Sequence, residues 1–218
     1  MTLGTVPAIW ASLAGRVMDV PAAREPWAFQ EGNLTAHSLA VILPLLVIMR
    51  LSRRPWAYYS IVPVRVGLDL VMSVVVAAGM WASAIMAHRI LSIPLVALPD
   101  WTTVVTIFPP DDHRIATPDP ASLAPLWALT LSMLANGFAE ELVRAYLLPR
   151  LRELWGSMVW SVLAVSGLFA LYHLYQGSYA ALVIFGSEIV SCILLLAMKR
   201  VWPLAVGHAL YDIAIYTL

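Results

Sequence analysis

The 218-residue sequence holds one cysteine, Cys192. An internal disulfide and a cysteine-built metal site are therefore excluded. Cys192 sits in an apolar run and reads as a packing residue. Charge is scarce as well: Asp, Glu, Lys and Arg make up 12% of the chain, against about 25% in a typical soluble domain. The charges cancel to a formal net of zero, which argues against nucleic acid as a partner. No His-Glu-x-x-His pair occurs, so the usual zincin arrangement is missing. No repeat or low-complexity tract is visible. Residues 1–15 are fairly apolar but lack the basic region of a secretory signal, and are not expected to act as one.

What remains is apolar: 61% of residues are hydrophobic. The chain reads as an all-α, polytopic helical membrane protein forming a single domain over 1–218. A span needs about 20 mostly apolar residues. Six transmembrane helices are expected, over 34–49, 67–87, 124–148, 157–174, 179–198 and 202–218, with a further partial helix over 5–15. The third is expected to break at Asn136, Gly137 and Glu140, and the first carries Pro44 at its centre. Residues 88–123, rich in proline and aspartate, read as an exposed loop or a lid. One set of loops holds Arg50, Arg53, Arg54, Arg65, Arg150, Arg152, Lys199 and Arg200, with Arg144 near the same side. The other holds Arg16, Arg24, Arg89 and Arg114. The excess places the first set in the cytoplasm and the 88–123 loop outside.

Three polar clusters interrupt the apolar C-terminal half: Glu140-Glu141-x-x-Arg144, Phe169-x-x-x-His173 and His208-x-x-x-Asp212. An ionisable side chain at membrane depth costs roughly 2.5–3.5 kcal/mol on insertion scales, so such groups are expected to have a use. Residues four apart share a helix face, which stacks Glu140 on Arg144 and His208 on Asp212. The two glutamates point about 100° apart, so one can pair with Arg144 while the other faces another helix. A carboxylate beside a histidine can fix its tautomer. Glu140 and His208 are expected at similar depth. His173 falls too far out on a straight helix, so the fourth span must start late, tilt or kink near Gly167.

These groups admit two chemistries. Glu140 can act as a general base on water, with the histidines stabilising an oxyanion. Alternatively Glu140, His173 and His208 can be three zinc ligands. The bland reading of the same residues is helix packing through a salt bridge and interhelical hydrogen bonds. Elsewhere, Asp69 is expected to pair with Arg65, Glu188 to join the site or serve as a hydrogen-bonded structural group, and His37 and His88 to sit at span ends. Trp56, Trp101, Trp155 and Trp202 fit an aromatic belt.

At these clusters the chain resembles the CPBP family, the CAAX proteases and bacteriocin-processing enzymes also called Abi proteins. That family's motifs read Glu-Glu-x-x-x-Arg, Phe-x-x-x-His and His-x-x-x-Asn/Asp. The second and third match directly, and the first is one residue tighter here. The resemblance covers residues 121–218. It implies a helical membrane fold with a site open to the membrane interior, and an intramembrane endopeptidase hydrolysing a membrane-anchored protein or peptide tail. Glu140 would activate water, supported by His173 and His208, with Glu141, Arg144 and Asp212 completing the set. No cofactor is favoured, zinc being the alternative. The lipid bilayer is the expected surrounding, in the plasma membrane of a bacterium or archaeon. The other function classes are a catalytically silent scaffold and a proton-coupled transporter.

Overall fold

In a bilayer, a long apolar run has only its own backbone to satisfy its N–H and C=O groups, so it folds as helix. The computed structural model, which describes residues 27–91 and 124–217, shows this throughout. Its α-helices are α1 (Trp27–Leu51), α2 (Val66–Leu91), α3 (Leu126–Trp155), α4 (Met158–Tyr172), α5 (Ser178–Met198) and α6 (Val201–Thr217). Short 3-10 turns cover Trp56–Tyr59 and His173–Gln176, and no strand occurs among the described residues. The all-α architecture expected from the sequence is the one found. Glu31–Leu51, Val66–Ala87 and Tyr179–Met198 are long and apolar enough to cross a membrane, while Met158–Tyr172 and Val201–Ile215 are shorter apolar helices.

Several boundaries differ from expectation. α1 starts before residue 34. α2 runs on to Leu91, so residues 88–91 belong to a helix rather than to the loop. The rest of that loop, with the lid read into it, and the partial helix over 5–15 lie outside the described residues. α3 is one unbroken helix of 30 residues. A glycine inside a helix costs only about 1 kcal/mol of propensity, and the packing of α3 against three neighbours outweighs it. α3 ends where Gly156 takes a left-handed φ of 68° and returns its N–H to the Arg152 carbonyl. Ser157 then caps α4 by accepting from the Trp160 N–H, so the chain reverses within two residues.

α3 packs on α1, α4 and α6, while α6 also packs on α2, and α5 joins α4 to α2. Helices α2 to α6 thus close a ring, with α1 lying outside it against α3. Met80, Leu148, Phe169, Leu195 and Leu204, one from each ring helix, meet in the main apolar core. Two glycines set the position of α6. A Cβ on Gly137 would lie 2.7 Å from the Ala205 carbonyl oxygen, and one on Gly207 would lie 2.6 Å from that of Ser73. The backbone of α6 therefore touches α3 on one side and α2 on the other, as small residues allow between membrane helices.

The expected basic end is assembled from three connections. Arg54 pairs with Glu153 at 3.0 Å. Val201 donates its N–H to the Ser60 carbonyl at 2.9 Å, and the Trp202 indole donates to that of Val62 at 2.6 Å. Asp69 pairs with Arg200, at 2.6 and 2.9 Å, and not with the Arg65 guanidinium. Residues 65 and 69 both belong to the entry of α2, and Asp69 instead caps the Arg65 backbone N–H at 2.7 Å. Cys192 is buried in the core, as a packing residue should be.

Candidate active site

Adjacent positions on α3 diverge by about 100°, and Glu140 and Glu141 use this fully. Arg144 pairs with Glu141, and its other arm reaches Glu188 on α5. It is fully buried, and its partner on α3 is Glu141 rather than Glu140. The guanidinium also lies over the Phe169 ring, 4.9 Å from its centroid, an additional cation–π contact. Glu188 is thus a structural partner of Arg144 within the buried network.

Glu140 faces the other way. It accepts from the Asn136 amide at 3.3 Å, and its oxygens lie 3.6 Å from His208 Nε2 and 4.0 Å from His173 Nε2. Asp212 stands 3.7 Å from the same His208 nitrogen. Each histidine is anchored by its other nitrogen. His208 Nδ1 donates to Glu141 Oε1 at 2.9 Å, and His173 Nδ1 donates to the Phe169 carbonyl at 2.9 Å. Both acceptors can only accept, so both Nδ1 atoms carry a proton and both Nε2 atoms turn toward Glu140. Phe169 therefore serves twice, its ring under Arg144 and its carbonyl behind His173.

The depth problem posed by His173 has a simple resolution. Glu140 precedes Gly156 by 16 residues, and His173 follows Ser157 by 16. In an antiparallel hairpin with so tight a turn, the two must face each other. α4 runs unbroken through Gly167 from its start at Met158. The span assigned to α3 ended too early, which put Glu140 near the cytoplasmic end when it lies at mid-helix.

Beside Glu140 a cavity of about 220 Å³ opens between α1, α3 and α4. His37, Asn136, Glu140 and Tyr172 contribute its polar wall, with Val41 and Leu168 among its apolar residues. The Tyr172 hydroxyl and His37 Nε2 lie 3.2 Å apart and join α4 to α1 across it. Sequence reasoning did not assign these residues to the site: it read Asn136 as a helix break and His37 as a ring at a span end. Asn136 was detectable, being four before Glu140 on one face. His37 was not, because its partner lies 135 residues away. Among the described residues, no group of three or more His, Cys, Asp or Glu is arranged to hold a metal ion.

All three motif clusters thus converge on one buried site at the middle of α3. Residues 122–214 match the Rce1-like type II CAAX prenyl endopeptidase family. The match agrees with the CPBP resemblance read from the motifs. No curated protein and no solved structure matches the chain. The Rce1-like segment starts just ahead of α3 and runs into the last turn of α6, and every residue of the three clusters lies within it. α1 and α2 lie outside it, and with them His37. The apolar helices and the Rce1-like segment together make this an integral membrane protein.

Proposed function

We propose that the protein is an intramembrane endopeptidase acting on a membrane-anchored protein or peptide tail. Glu140 is the general base. It takes a proton from a water whose oxygen adds to the carbonyl carbon of the scissile peptide bond. The oxyanion forms facing His173 and His208. Their Nδ1 atoms are engaged by the Phe169 carbonyl and Glu141, so the Nε2 side of each ring faces it. As the C–N bond breaks, the proton held by Glu140 passes to the leaving nitrogen. Glu141 and Asp212 orient His208, and Arg144 holds Glu141.

One observation supports this reading above the others. Of Glu140, Glu141 and Glu188, Glu140 alone borders the cavity, with two histidine Nε2 atoms at 3.6 and 4.0 Å. Glu141 and Glu188 are committed to Arg144. The test is to incubate the purified protein with a panel of membrane-tail peptides beside Glu140→Gln. Cleavage by the wild type and none by the variant supports the proposal. Failure of the wild type on every tail, or equal cleavage by the variant, favours a silent scaffold or a Glu140-independent reaction. We further propose that no metal takes part. Stoichiometric zinc in active protein, with activity lost on chelation and restored by zinc, would sink this. In a bacterial or archaeal plasma membrane the basic end faces the cytoplasm: in a Cys192→Ala background, Arg53→Cys should resist an impermeant thiol reagent in intact cells.

A further inference from the structure

A second cleft, of about 510 Å³, lies at the basic end of the bundle between the segment entering α2 and the turn joining α5 to α6. It is lined by Arg65, Lys199 and Arg200 together with Leu68, Met72 and Met198. Arg200 is spoken for: it pairs with Asp69 and gives its Nη2 to the Pro63 carbonyl at 2.8 Å. Asp69 also takes the Arg65 backbone N–H. Two exposed cations remain in excess, Arg65 and Lys199. Lys199 is fixed in place by the backbone. It ends α5 in the left-handed region at φ 52°, with its N–H on the Leu195 carbonyl at 2.8 Å. Beside the cleft, Val64, Val66, Leu68 and Val71 are exposed apolar residues on the surface of a membrane helix and its entry.

Cations beside apolar side chains in one cleft, at the end of a membrane-crossing helix, complement a phosphate attached to acyl chains. A soluble anion would make no use of the apolar side chains. We propose that this cleft binds the headgroup phosphate of an anionic phospholipid between Arg65 and Lys199, with an acyl chain along Leu68 and Met72.

Native mass spectrometry of the full chain in neutral detergent tests this, with phosphatidylglycerol, phosphatidylcholine and inorganic phosphate as probes at equal concentration. The wild type should retain phosphatidylglycerol in preference to phosphatidylcholine. The double variant Arg65→Gln/Lys199→Asn should weaken that retention by roughly 30-fold, each surface cation contributing about 1 kcal/mol. Asparagine tolerates the left-handed backbone, and Arg200 is left intact, so the fold should survive, as an unchanged unfolding temperature without lipid would confirm. The control Arg50→Gln/Arg152→Gln removes the same charge at the same end but outside the cleft, and should leave retention unchanged. Equal retention of the two lipids, an equal loss in the control, or displacement of phosphatidylglycerol by inorganic phosphate at equal concentration would each overturn the proposal.

Discussion

Glu140 and Glu141 are consecutive residues of one helix, yet they sit in different environments. The Glu141 side chain is fully buried and both its oxygens are taken, one by Arg144 and one by His208. Glu140 is 15% exposed, borders a cavity and makes only long contacts. Buried charges are tolerated only when paired and hydrogen-bonded, and the Glu141–Arg144–Glu188 set meets that condition. Glu141 holds His208 in place and has neither oxygen free for anything else, while Arg144 Nε is buried without a hydrogen-bond partner. The looser side, around Glu140, retains that freedom. The comparison separates the residues that build the site from the residue with room to react.

Four substitutions test that division. Glu140→Gln should lower turnover by about 10²–10⁴-fold, the usual contribution of a general base, with the unfolding temperature unchanged. A folded variant with wild-type turnover would remove Glu140 from the mechanism. Arg144→Ala should do the opposite, destabilising by about 3–5 kcal/mol because two carboxylates lose their buried partner. Thermal unfolding in detergent reads this, and a variant as stable as the wild type would show that the network is not what holds the ring. Gly207→Ala places a Cβ against a backbone oxygen that has no rotamer to move, and about 1–3 kcal/mol of overpacking should follow. The smallest effect belongs to Tyr172→Phe. It removes one partly exposed hydrogen bond and should alter stability by at most about 0.5–1.5 kcal/mol. A hundredfold loss of turnover in this variant would put Tyr172 among the reacting groups and redraw the boundary between the two sides.

Much of this was legible in the sequence. The apolar composition dictates helices, and the three clusters name the residues that converge. Spacing on a helix also shows that the two glutamates must part. Spacing does not decide which glutamate Arg144 chooses. Positions three and four apart are nearly equivalent on an isolated helix, and the selection comes from Glu188 and Phe169 across the ring. Asp69 shows the same limit: its local partner lost to Arg200, 131 residues away. The continuity of α3 was hidden because Asn136 and Gly137 look like a break when weighed by local preference. In the fold, Gly137 is the point where α6 comes closest. His37 carried no signal, since only the placement of α1 beside α4 gives it a role.

The glycine contacts of α6 have a consequence for how a substrate arrives. With its backbone against α3 and α2, α6 has no slack, so the helix bearing His208 and Asp212 is a fixed jaw behind Glu140. α1 lies outside the ring and packs mainly on α3, and the Tyr172–His37 bond joins it to α4 across the cavity. The yielding jaw is therefore the α1–α4 seam, whose Leu168 is half exposed on the apolar surface. A chain admitted through that seam comes sideways out of the bilayer and not from water. On the proposed peptidase reading, the encounter is two-dimensional. Its rate should follow the substrate's mole fraction in the membrane, and diluting the bilayer with inert lipid should slow it at constant bulk concentration.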